Sequence, residues 1–374
     1  MKVLHVFKTY YPDSFGGIEQ VIRQLSNATH VHGVTNSVFT LSRQAQVTPI
    51  LHDGATCVIR APVDLELAST PMSLRAIGTF RRAATAADLI HYHYPWPFGD
   101  VLHLLAGQRT PALLTYHSDV VRQQLLMPVY QPLMRRFFAS MRALVPTSPN
   151  YLQSSKLLQD YRAKCHVIPI GLDESSYPQA SAERLTYWRG KVGAGFFLFV
   201  GVLRYYKGLH ILLDACAGSS SRVVILGAGP VEADLKQQAA RLQLTNVDFL
   251  GAVSDEDKVA LLQLCRGVVF PSHLRAEAFG VTLLEGAMFS KPLISSEIST
   301  GSSYVNLNGV TGIVVAPDDA PALRQAMLRL DQDAAMAARM GRAARERFEA
   351  LFTSAQMAKG YVALYQKIVQ SAAV

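Results

Sequence analysis

The chain has 374 residues, and at about 150 residues per domain that length accommodates two domains. Charged residues are 17% and hydrophobic ones 49%, a balance that excludes a disordered or solvating chain. The 36 Lys+Arg against 28 Asp+Glu leave a net charge of +8, which points to anionic partners such as nucleotides, phosphates, nucleic acid or an acidic membrane surface.

The first apolar run, 3–7, lies between Lys2 and Lys8. It is too short for a signal-peptide core and predicts a buried strand. Further strands are expected at 37–41, 57–60, 89–92, 112–116, 143–146 and 166–168, with helical patterns at 18–29 and 72–87 between them. A polar stretch, 173–195, follows. The rhythm then restarts with 196–200, 222–226, 247–250, 267–270, 292–295 and 312–315, and from about residue 320 the pattern is helical, ending in 353–370. Near-continuous apolar strands alternating with helices predict buried parallel sheets. The expected architecture is α/β, with two doubly wound, Rossmann-like domains. No run approaches the roughly 18 residues of a membrane-spanning helix, so membrane contact is expected to be peripheral. Cys57, Cys165, Cys216 and Cys265 form no CxxC pair and read as thiols in a reducing cytosol.

Ligands of such folds bind beyond the carboxyl ends of the strands, so motifs at strand ends carry the chemistry. Gly16-Gly17 opens the first helix and is either a tight turn or a backbone cradle for phosphate. Arg204 and Lys207 follow a strand at a spacing of three, where two cations can neutralise a diphosphate. Gly227-Ala228-Gly229-Pro230 lacks a third glycine for the dinucleotide fingerprint. Glu277-Ala278-Phe279-Gly280-Val281-Thr282-Leu283-Leu284-Glu285 follows another strand. A helix starting near Gly280 would aim its first amides at a phosphate, and Glu277 and Glu285 would accept hydrogen bonds from hydroxyls. Glu285 sits among Leu283, Leu284, Ala287 and Met288, where a carboxylate is costly unless bonded.

The two glutamates, with seven residues between them, resemble the paired-glutamate motif of family 4 retaining glycosyltransferases, which have the GT-B fold. The resemblance extends through Gly16-Gly17, the 167–173 segment, Arg204/Lys207, Gly227 to Pro230 and Gly309-Val310-Thr311-Gly312. It implies an acceptor-side domain over 1–180, a nucleotide-sugar domain over 190–352, a cleft between them, and a helix at 353–374 crossing back to the first. By resemblance Arg204 and Lys207 grip the donor diphosphate, Glu285 the ribose and Glu277 the transferred sugar. His117, in Tyr116-His117-Ser118-Asp119, matches a strand-end histidine near the anomeric centre. Gly16, Gly17, Gly229, Phe279, Gly280, Val281 and Thr282 complete the implied donor site. The openings Leu4 to Asp13 and Gly16 to Gln20, with Thr300 to Asn306, look like a subgroup of bacterial O-antigen and surface-polysaccharide transferases using GDP-mannose or GDP-rhamnose. The last stretch departs from the commoner family pattern, which has a Pro-Glu pair near Ser303-Tyr304.

The implied reaction needs no metal, because cations and helix N-termini stabilise the leaving diphosphate. Asp255-Glu256-Asp257 reads as a helix start after Ser254, and Asp331-Gln332-Asp333 as an exposed turn. Rival readings are another GT-B enzyme (an epimerase or phosphorylase), a nucleic-acid-binding module, and a zinc hydrolase using His91, His93, His117 and Asp119. Against zinc, the same histidines with Tyr94, Trp96 and Phe98 would line an acceptor pocket. The 120–159 segment holds Arg122, Arg135, Arg136, Arg142 and Lys156 and no acidic residue. Val129, Leu133, Phe137 and Met141 recur in it at steps of four. Its apolar face is either domain core or a surface for an anionic membrane presenting a lipid-linked acceptor. Residues 1–180 contain 16 Lys+Arg and 11 Asp+Glu, so these five cations equal that half's excess.

Overall fold

Short runs rich in Val, Ile, Leu and Phe form strands buried on both faces, as parallel sheets require. The computed structural model describes residues 1–46, 49–67, 70–107, 109–119 and 127–372, with the side chains of 127–129 excluded. The chain divides into two compact units, residues 1–171 with 354–374, and residues 172–353.

The first unit contains β1 (Lys2–Val6), β2 (Thr35–Ser42), β3 (Ile50–Asp53), β4 (Thr56–Pro62), β5 (Leu65–Leu67), β6 (Thr70–Met72), β7 (Leu89–Tyr94), β8 (Ala112–Tyr116) and β9 (Ala143–Pro146). Seven of these form a sheet in the order β3-β4-β2-β1-β7-β8-β9, parallel except for the antiparallel edge strand β3. β5 and β6 pair separately. The expected strand at 166–168 does not form. His166 and Ile168 donate to Leu144 and Pro146 along the β9 edge, and only one isolated bridge, Leu144 to Cys165, results. The helix Ser354–Ala372 packs Met357, Tyr361, Leu364, Tyr365 and Ile368 into the core beside Val3, Leu89 and Leu113.

The second unit contains β10 (Phe197–Val200), β11 (Val223–Leu226), β12 (Val247–Gly251), β13 (Gly267–Phe270), β14 (Leu293–Ser296) and β15 (Gly312–Val315). They form a wholly parallel sheet in the order β12-β11-β10-β13-β14-β15. The division falls at Gly171 rather than at residue 180, because the Leu172 amide donates to Phe352 and Glu174 pairs with Arg345 at 2.8 Å. In each sheet the winding reverses at one place, between β1 and β7 and between β10 and β13. Such switch points are where open α/β sheets bind ligands.

Both Asp-x-Asp strings serve the fold. Ser254 caps the helix Asp255–Leu264 by accepting from the Asp257 amide at 3.2 Å, and Asp257 accepts from Arg184 and from Trp188 Nε1. Asp331-Gln332-Asp333 lies at a helix-to-helix junction at which Gln332 and Asp333 are exposed, while Asp331 is half-buried. Asp331, in the last turn of the helix Ala320–Gln332, pairs with Arg266 at 2.8 Å, and Asp333 caps the helix Ala334–Leu351. All four cysteines are free; Cys216 and Cys265 are buried, the others half-buried. Among the described residues no helix is long and apolar enough to cross a membrane.

Candidate active site

In the second unit the loops leaving β10 and β13 meet at the switch point. Gly208, after the turn Tyr205–Lys207, has φ +69°, and a Cβ there would stand 2.0 Å from the Pro271 carbonyl oxygen. Only glycine allows that approach. The His273 amide donates to Tyr206 O at 3.0 Å and fastens the loops together.

This clamp places Lys207 Nζ on Glu277 Oε2, with Ser272 Oγ donating to the same oxygen at 3.4 Å. Both side chains are nearly buried, and the ammonium also lies over the Phe270 ring at 4.8 Å. Burial works to lower the Lys207 pKa, but the Glu277 charge and hydrogen bond outweigh it and hold it above the ordinary lysine value. Arg204 is exposed and has no ion-pair partner among the described residues. The expected cation pair is thus one locked charge and one free one.

Gly280 is the N-cap of the helix Val281–Met288, as expected; the Leu283 amide bonds back to Gly280 O at 2.9 Å, and those of Val281 and Thr282 have no intrahelical acceptor. Glu285, 4% exposed, accepts from Tyr177 OH at 3.0 Å and pairs with Lys258 at 3.1 Å. Lys258 also meets Asp255 at 3.1 Å. Burial alone would lower the Lys258 pKa, but Glu285 and Asp255 raise it. Sequence reasoning missed Lys258 and Tyr177; neither carries a local signal, and the fold brings Tyr177 across 108 positions to Glu285. Three expected donor residues have other roles in their side-chain positions. Thr282 Oγ1 donates to Val200 O at 3.0 Å, Phe279 is buried against Phe352, and a Cβ on Gly229 would meet Leu203 O at 2.3 Å. Gly301 is pressed on Phe279 and donates to Ala278 O, so the Thr300 to Asn306 stretch braces the glutamate loop.

In the first unit Gly16 caps the helix Gly17–His30 without a side-chain bond, and a Cβ there would strike Glu19 Oε2 at 2.4 Å. Glu19, buried, accepts from Thr9 Oγ1 at 2.7 Å, and Gly17 is open to its surroundings. His117, after β8, is buried, and its amide donates to Tyr94 O. Its Nε2 lies 3.0 Å from His93 Nδ1; His93 Nε2 lies 3.1 Å from His5 Nδ1, and His5 Nε2 lies 3.2 Å from Asn36 Oδ1. Burial lowers the pKa of His5 to about 4 and of His117 to about 3, and holds His91 and His93 well below the usual histidine value.

The zinc constellation does not assemble. His91 and His93 do share a strand face, with ring centroids 4.3 Å apart. Yet His91 directs Nδ1 to Tyr365 OH at 2.7 Å and Nε2 to Thr115 Oγ1 at 2.6 Å. Asp119 accepts from Tyr116 OH and Ser155 Oγ. The tighter group His5, His91 and His93 has every ring nitrogen engaged by the protein.

Three residues expected at an acceptor or membrane surface are core. Tyr94 and Trp96 are each 2% exposed, donating to Met134 Sδ and to Pro71 O. Phe137 is buried with Met134, Phe138 and Met141, so the described apolar face of the helix Met127–Ser140 belongs to the first unit's interior. Arg135 and Arg136 are exposed on its other side. Residues 120–126, including Arg122, lie outside the described residues.

Known proteins place these observations. Residues 15–176 match Glycosyltransferase Family 4, and residues 189–347 match Glycosyl transferases group 1. The chain is 53% identical to the D-rhamnosyltransferase WbpZ of Pseudomonas aeruginosa, over 95% of this chain and 93% of that protein. It is 49% identical to the O-antigen chain mannosyltransferase C of Escherichia coli, over 99% and 100%. Among solved structures it resembles a sucrose-phosphate synthase from Thermosynechococcus elongatus (TM-score 0.80, 21% identity, 99% of both chains) and the lipopolysaccharide glycosyltransferase WaaG (TM-score 0.68, 16% identity, 98% and 99%). These likenesses identify the GT-B fold. The chain belongs to the family 4 glycosyltransferases.

Proposed function

We propose that this glycosyltransferase moves mannose or a rhamnose-type deoxysugar from a GDP-sugar to a lipid-linked glycan, in O-antigen or other surface-polysaccharide synthesis, with retention at the anomeric carbon. The observation that carries the reading is the buried Lys207–Glu277 pair at the switch point of the second unit. The two relatives of about half identity, one a rhamnosyltransferase and one a mannosyltransferase, support the sugar class.

In this reading the donor diphosphate takes over Lys207 from Glu277 and recruits the exposed Arg204. The first amides of the helix Val281–Met288 add a positive end to the same anion. Glu277, freed from Lys207, accepts hydroxyls of the transferred sugar, and Glu285 accepts those of the ribose. His117 lies beside the reacting carbon. The two cations stabilise the departing diphosphate electrostatically, and both Asp-x-Asp strings are already committed to helix caps and ion pairs. The exposed Arg135 and Arg136 support a peripheral electrostatic contact with an anionic membrane on the cytoplasmic side.

Product analysis tests the mechanism. NMR of the new linkage is expected to show the donor's anomeric configuration, and turnover is expected to persist in excess EDTA. An inverted linkage, or loss of turnover on chelation restored by Mg²⁺ or Mn²⁺, would contradict it.

A further inference from the structure

Two histidines and an asparagine that the mechanism leaves unused lead inward from His117, and their chemistry fixes the direction of every hydrogen bond. Asn36 Nδ2 lies 2.9 Å from Ser26 O and 3.0 Å from Thr29 Oγ1. A carbonyl can only accept, so the amide nitrogen is on that side and Oδ1 faces His5. Oδ1 also only accepts, so the proton is on His5 Nε2. A neutral imidazole carries one N–H, which leaves His5 Nδ1 a bare acceptor for His93 Nε2–H. His93 Nδ1 is then bare in turn and accepts from His117 Nε2–H. Each ring is neutral: burial opposes protonation of all three, outweighing the Asn36 hydrogen bond at His5, and the neighbouring histidines further oppose a charge on His93.

We propose that His93, His5 and Asn36 are positioning residues of the transfer reaction, whose one-way hydrogen-bond chain locks His117 as the neutral Nε2–H tautomer and leaves its Nδ1 able only to accept a hydrogen bond, from a sugar hydroxyl. The proposal rests on the transferase reading of His117. Stability alone does not call for the chain: strand positions of this kind are filled elsewhere in the sheet by Val and Leu, and apolar replacement of both partners of a buried hydrogen bond is close to neutral. The chain supplies a defined tautomer instead, as partners of functional histidines do elsewhere. An acceptor-only nitrogen distinguishes a hydroxyl, which can donate to it, from a phosphate oxygen, which cannot.

Long-range ¹H–¹⁵N correlation spectra of the ring-labelled full chain at pH 7 read the tautomers directly, with single substitutions for assignment. His5, His93 and His117 are expected as Nε2–H forms. His93→Leu removes the acceptor for His117. It is expected to populate the Nδ1–H form and to lower kcat by about tenfold or more, with the donor KM little changed. His93→Asn, whose Oδ1 can accept the same bond, is expected to restore both tautomer and kcat. A wild-type His117 carrying Nδ1–H or two protons overturns the proposal, and this spectrum needs no variant to fold. So does a His93→Leu protein with tautomer and kcat unchanged. Absence of transfer by the wild-type protein instead rejects the transferase reading of the site, whereas a wrong tautomer in an active enzyme rejects the lock alone.

Discussion

Glu285→Ala is expected to lower kcat/KM for sugar transfer by about 10²–10³-fold while leaving unfolding almost unchanged. Lys207→Ala is expected to lose at least as much activity and, in contrast, to lose stability. The difference follows from what each substitution leaves behind. Without Glu285, Lys258 keeps Asp255 at 3.1 Å, so no isolated charge remains in the interior. Without Lys207, the buried Glu277 carboxylate retains, among the described residues, only the longer Ser272 contact. Breaking a buried pair in this way costs about 3–5 kcal/mol. Lys207→Ala combined with Glu277→Ala is expected to recover stability but no transfer. The closed Lys207–Glu277 pair is what separates the two variants in stability. Steady-state kinetics with urea unfolding separates the effects, and wild-type turnover in either single variant would remove these residues from the donor site.

Acid should destabilise the first unit at a pH where most proteins are near their optimum. Unfolded histidines protonate near 6.5, whereas burial lowers His5 and His103 to about 4 and His117 to about 3, with His91 and His93 also well below the usual value. Between those values the unfolded chain binds protons that the folded chain does not, so stability falls as pH falls through 6.5. At pH 5.5 each such histidine contributes about 1 kcal/mol of loss. Asp100 acts in the opposite sense. Burial raises its pKa and outweighs the hydrogen bond from Tyr130, which works to lower it, so its contribution favours the folded state as pH falls. Five histidines outweigh one carboxyl, and unfolding followed at pH 7.5 and 5.5 should show a loss of several kcal/mol. Equal stability at the two values would mean that the imidazoles become protonated within the fold.

The parallel sheets are legible because strands buried on both faces must be continuously apolar, as in Val3 to Phe7 and Val223 to Leu226. The elements missed lack that pressure. β3 alternates half-buried and exposed residues at the sheet edge, and β5 is exposed throughout. The 166–168 run failed as a strand although it borders the sheet: its amides reach Leu144 and Pro146 carbonyls, but Pro146 has no N–H to donate back, so the ladder stops at one bridge. At the site, residue types at strand ends pointed to Lys207, Glu277, Glu285 and the Gly280 helix start. Their partners Tyr177 and Lys258 were invisible, since pairing across the fold leaves no local pattern. The histidines show the same limit. Alternation on a strand put His91 and His93 on one face, but only the sheet register that pairs β1 with β7 reveals His5 between them and Asn36.

Acceptor-dependent release of nucleoside diphosphate from a donor panel tests the central reading most directly. The prediction is GDP release from GDP-mannose or GDP-rhamnose when a lipid-linked glycan is supplied, and none from UDP-sugars. Release from a UDP-sugar, or from no donor at all with that acceptor, would contradict it.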